Sequence, residues 1–172
     1  MANMGTDEKI SVAIHEQYGA AIEMLEQVIT KCPEEVWDDK TLGPPFWQVV
    51  YHTMFYLDWY LARSKGDRES FTPKYETERF ENLDNLPKVT LNCDQMLSYL
   101  FEIKDKAKQR FENLTVAELN QPPIYEWHGV SVLSSLLYNI RHVMLHIGAL
   151  NFRLLRKSVE LDNWVSWKLI EE

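Results

Sequence analysis

The sequence predicts an all-α protein, a four-helix bundle with a long connection between its second and third helices. Three observations carry that expectation. Apolar residues recur at the helical period in four long stretches, no stretch alternates in the pattern of a strand, and every Pro falls at or between the ends of the stretches rather than inside them. At 172 residues the chain reads as one domain spanning 1–172, and its 45% hydrophobic content, with six Trp, eight Tyr and seven Phe, can fill a single core without disulfides.

The first helix is expected from about Asp7 to Ile29. Thr6 is placed to cap it, Asp7 and Glu8 suit the positive end of its dipole, and Ile10, Ile14, Tyr18, Ala21, Leu25 and Val28 form one stripe. Pro33 ends it, and a short turn over 33–37 precedes the break at Gly43-Pro44-Pro45. The second helix is expected from near Pro45 to about Lys65, with Gly66 as its stop and Phe46, Val49, Val50, Thr53, Leu57, Tyr60 and Leu61 as its core stripe. Residues 66–90 follow as a polar connection with Pro73, Pro87 and six acidic residues between Asp67 and Asp84; a link this long in a small domain is expected to be functional, mobile or both. The third helix should span Cys93 to Asn113, opened by an Asn92/Gln95 capping box, with Met96, Leu97, Leu100, Ile103, Ala107 and Phe111 inward. Thr115-x-x-Glu118 signals one further turn before Pro122-Pro123, and the fourth helix should run from Ser131 to about Lys157.

Composition narrows the function. A net charge of −8 speaks against nucleic acid, whose phosphates need clustered Lys and Arg; Arg153, Arg156 and Lys157 are better placed as cations near a helix C-terminus. No run reaches the roughly 18 apolar residues of a membrane span, and the N-terminal residues lack a signal-peptide pattern, so the expected setting is cytoplasmic, with no membrane partner. Cys32 and Cys93 stand alone, outside any CxxC or Cys/His cluster, and read as thiols of a reducing compartment.

The candidate chemistry lies in the histidines. His142 and His146 are four residues apart on the fourth helix, so both imidazoles share one face with Cβ atoms about 6 Å apart, a separation that lets two nitrogens reach one ion at about 2.0–2.1 Å. The apolar face of that helix is Leu133, Leu136, Ile140, Val143, Ile147, Leu150 and Leu154. Ser135, Asn139, His142, His146, Ala149 and Arg153 run beside it, at the border of the core. His52 occupies the same kind of border on the second helix, one turn from Gln48 and Tyr56, and supplies the third nitrogen that a facial site requires. An HxxxH pair alone is also compatible with packing or solvation. His15 reads as a packing or surface residue, and His128, in the turn before the fourth helix, as a pocket-mouth or loop residue.

The segment Phe46-Trp47-Gln48-Val49-Val50-Tyr51-His52-Thr53, leading into an aromatic-rich helix, resembles the second helix of the DinB-like (YfiT-like) superfamily. The stretch His142 to Leu150, with its H-x-x-x-H-x-G pattern, resembles that family's last helix, and Trp164-Val165 resembles its short tail. The similarity follows the order and spacing of helices along nearly the whole chain, but only the first two motifs are specific. It implies a four-helix bundle, often a homodimer, in which His52, His142 and His146 hold a divalent metal ion, zinc or nickel. One departure is Ala149, where many members carry Gln three residues after the last His.

The resemblance also implies a small-molecule substrate and two chemistries: transfer in which a low-molecular-weight thiol attacks an electrophile, and metal-assisted hydrolysis. Val143 follows His142 where a zincin would carry Glu, and no carboxylate lies within a turn of the histidines on either helix, so no general base is identified. Acids of the 67–84 connection are candidates by location alone. That absence favours the thiol reaction, because coordination by itself deprotonates a thiol. The competing reading is a non-catalytic dimeric bundle with relic histidines. Tyr138, Leu145 and Phe152 extend an apolar strip away from the core, suited to a homodimer or to contact with the long connection and tail.

Overall fold

In the computed structural model, which describes residues 5–75 and 78–171, every regular element is helical and no strand occurs among the described residues. The helices are α1 (Thr6–Thr30), α2 (Glu34–Trp37), α3 (Phe46–Tyr60), α4 (Lys65–Glu69), α5 (Cys93–Phe111), α6 (Val116–Leu119) and α7 (Val132–Arg156), with a 3-10 turn at Glu126–His128 before the last. The four long ones form a ring in the order α1, α5, α3, α7, so the links from α1 to α3 and from α5 to α7 cross the ends of the bundle. No helix is long and apolar enough to cross a membrane. Cys32 and Cys93 are unpaired thiols, and burial pushes the Cys32 thiol up to about 12.

The expected stripes are largely the core: Ile14, Tyr18, Ala21, Leu25 and Val28 on α1, the six named residues of α3 and Leu61 just beyond it, and Met96, Leu100, Ile103, Ala107 and Phe111 on α5 are buried. Ile10, near the start of α1, is exposed. The capping box forms, with Gln95 N donating to Asn92 Oδ1 and Asn92 N to Gln95 Oε1, each at 2.9 Å. Ser131 and Thr115 cap α7 and α6 as expected.

Two boundaries differ. Gly5, not Thr6, precedes α1, and Thr6 is already helical. The second long helix ends at Tyr60 instead of Lys65, because Ser64 and Asp67 make a second capping box that starts α4, with Gly66 inside it. The Asp67 carboxylate accepts from the amides of Arg63 and Ser64, which turns the chain before α3 can continue.

The connection after α4 packs back on α3. Phe80 sits edge-on to Trp47 and Tyr51, with ring centroids 5.4 and 5.3 Å away, and Trp37 donates its indole N–H to the Leu91 carbonyl at 2.7 Å. Gln48, fully buried, donates to the carbonyls of Asn82 (2.9 Å) and Asn85 (3.0 Å). This is why Trp47 and Tyr51, outside the expected stripe, are buried too.

Beyond α7 the chain lies along α1. The Lys168 amide donates to the Glu16 carbonyl, the Ile170 amide donates to His15 Nε2 at 3.2 Å, and Lys168 Nζ pairs with Glu23. Gly19 permits the approach: a Cβ there would lie 1.9 Å from the Lys168 carbonyl oxygen. Gly19→Ala in an isolated helix would stabilise by about 1 kcal/mol. Here the collision with main chain reverses the sign, and denaturant unfolding should show a loss of about 1–3 kcal/mol. A raised midpoint would mean that the tail does not rest on α1.

Candidate metal centre

Helices α3 and α7 run antiparallel. Arg153 donates to the Pro44 carbonyl at one end of the seam, Asn139 reaches the Leu57 carbonyl further along, and Tyr60 packs on Tyr138 beyond it. Between these contacts the three expected histidines meet. The Nε2 atoms of His52 and His146 each lie 3.1 Å from Nε2 of His142, and one nitrogen from each ring falls within 4.8 Å of the others. Two nitrogens bound to one ion at about 2.05 Å are separated by about 2.9 Å in octahedral and about 3.3 Å in tetrahedral geometry. The observed spacing lies between those limits, so the cluster is compatible with a divalent metal site.

Hydrogen bonding supports the fit. His52 Nδ1 lies 2.6 Å from the Glu81 carbonyl, which can only accept, so Nδ1 carries the proton and the Nε2 lone pair faces the other two rings. Gln48 sets this up by holding the 82–85 backbone one helical turn away. His142 Nδ1 is buried without a partner. Tyr56 packs edge-on against both His52 and His142, with centroids 4.9 and 5.3 Å away, and forms one wall.

Glu81 is the residue that the sequence pattern did not single out among the loop acids. It is 9% exposed, its Oε1 accepts from Arg79 at 3.4 Å, and its Oε2 is buried without a partner. Its carboxylate stands outside the three-nitrogen cluster. Only the register of the packed connection brings it here, which no spacing rule foretells. Of the other connection acids, Asp67 caps α4, while Glu76 lies outside the described residues. Asn139, one turn before His142, is a fully buried core residue that donates to Tyr18 Oη. His15 anchors the tail, and His128 is buried beneath Trp127 with Nδ1 3.4 Å from Ser135 Oγ.

A family comparison bears on this site: the sequence model of the DinB superfamily matches residues 17–150, a span that contains all three histidines. The chain belongs to the DinB superfamily. No curated protein and no solved structure matches it.

Burial and the neighbouring imidazoles hold both His142 and His146 down to about 4, and burial lowers His52 despite its hydrogen bond to Glu81. The rings are therefore neutral at neutral pH, as ligation requires, and those of His142 and His146 stay so well below the ordinary value of 6.5. Between 6.5 and about 4 the unfolded chain binds protons that the folded chain refuses, so their contribution to stability is full above 6.5 and falls with pH through that window. In chelator-treated protein the unfolding midpoint should drop on acidification across this range, and His142→Leu should flatten the drop. Identical slopes in the two proteins would place the effect elsewhere.

Proposed function

We propose that this DinB-superfamily chain is a metal-dependent enzyme that catalyses thiol-dependent transfer onto a small soft electrophile. In this reading His52, His142 and His146 hold one divalent ion, and imidazole ligands suit both zinc and nickel. The observation that carries it is the convergence of three neutral imidazole nitrogens, with the His52 tautomer set by the Glu81 carbonyl. An ion bound by three uncharged ligands keeps its full charge and open positions, and it lowers the pKa of a coordinated thiol or water. The protein's own part is to fix that geometry and to wall the site with Tyr56 and the packed connection, limiting water.

Metal-assisted hydrolysis is the second reading, and one observation favours it: Glu81, whose main-chain carbonyl meets His52 and whose charge acts on that ring, has a buried carboxylate oxygen without a partner. It ranks second because Arg79 pairs with that carboxylate and because the group lies outside the nitrogen cluster. A homodimer fits either reading. Leu145 and Phe152 are 69% and 56% exposed, so neither the connection nor the tail covers the apolar strip of α7.

Protein purified without a tag or added metal should contain about one ion per chain, lost in His52→Ala. Consumption of small thiols in the presence of a haloarene should fall about 100-fold or more in His142→Ala, at least the loss typical of disturbing a ligand's partner. Ester hydrolysis lost in both His142→Ala and Glu81→Gln, with thiol consumption unchanged, would promote the second reading. A chain that takes up no ion under metal-replete conditions would leave a binding bundle with relic histidines.

A further inference from the structure

At the end of the bundle where α3 and α5 finish and α7 begins, a cavity of about 120 Å³ is lined by four charged residues, Arg63, Arg68, Arg110 and Glu118. Two of the arginines are committed. Arg63 donates to the carbonyls of Gln109 and Arg110, and Arg110, although its Nε is buried without an acceptor, has a carboxylate partner in Glu118 at 2.6 Å. Arg68 is not. It is 5% exposed, and its Nε and Nη1 are buried without an acceptor. Its guanidinium lies 4.1 Å above the Trp59 ring and 5.2 and 5.5 Å from the rings of Tyr60 and Tyr125. Stacking stabilises the cation through its face, but the N–H groups point outward in the guanidinium plane and gain nothing from the rings.

A buried cation with unmet donors is costly, and proteins ordinarily supply it with a carboxylate. The surroundings register the excess charge: burial and the field of Arg68 together push His128 down to about 4. The remaining lining is mostly apolar, with Tyr60, Pro122, Pro123, Ile124 and Leu136 forming a wall beside the polar Gln121 and Ser135. We propose that this cavity binds the carboxylate of a small organic acid, with Arg68 as its anchor and the short hydrocarbon body against the apolar wall. A free inorganic oxyanion would satisfy the fork but not the wall. Tyr60 lies eight residues beyond His52 on α3, about 12 Å along the axis, so the site is separate from the three histidines and does not depend on an ion there.

The probes are sodium butyrate and inorganic phosphate at constant ionic strength, read by tryptophan fluorescence, since Trp59 underlies the guanidinium, and by the thermal midpoint. Butyrate should give a saturable change in both, undiminished by chelator and in His52→Ala, and phosphate should bind more weakly. Arg68→Met should weaken butyrate by about tenfold or more, the size expected for losing a charge-assisted bidentate contact. It should also keep the ligand-free midpoint at or above that of the wild type, because an uncompensated buried charge is removed. Arg68→Lys keeps the charge without the fork and should also weaken binding. Glu118→Gln frees Arg110 and should tighten it. No saturable response, unchanged affinity in both Arg68 variants, or loss of binding with chelator would overturn the proposal. Phosphate binding as tight as butyrate would overturn the assignment to an organic acid.

Discussion

The candidate metal centre depends on the antiparallel seam between α3 and α7. Three histidines from two helices can share a point only if those helices are held in one axial register. That register is set by polar contacts to backbone: Arg153 onto the carbonyls of Pro44 and Leu42 at one end, and Asn139 onto that of Leu57 further along. Apolar packing alone is non-directional and tolerates sliding. Hydrogen bonds are directional and do not, least of all the buried one from Asn139, whose displaced donor would lose its partner in a medium that offers no replacement.

The connection between α4 and α5 adds a second layer to the same design. Phe80 supplies the area that holds it down, and Gln48 supplies the direction. The result is that a main-chain carbonyl, that of Glu81, fixes the proton on His52. A backbone acceptor cannot titrate, so the ring's orientation is preserved across a wide range of pH, unlike one set by a carboxylate.

Much of this was legible in the sequence, for identifiable reasons. Helical periodicity marked the core faces, because burial follows the same 3.6-residue repeat as the backbone, and the Asn92/Gln95 and Ser131 caps marked two helix starts. The i, i+4 histidines could be placed on one face because helix geometry is rigid. The premature end of α3 escaped the reading because the Ser64/Asp67 box was outweighed by Gly66, a commoner stop signal. Glu81 and Phe80 escaped it for a different reason. Each owes its place to long-range folding of an irregular segment, where neighbouring positions carry no period. The burial of Trp47 and Tyr51 is the trace of that same segment on α3.

The arrangement of donors has a mechanical consequence. His142 and His146 ride on one unbroken helix, so their separation follows its pitch and side-chain rotamers and adapts little. The adjustable distance is the one across to His52. An ion of different radius would have to be accommodated by sliding α3 along α7, against the bonds from Arg153 and Asn139. With an ion held by the three rings, the bundle would act as a gauge, in which the ease of a small shear between two helices, more than the chemistry of the imidazoles, would set how strictly ionic size is judged.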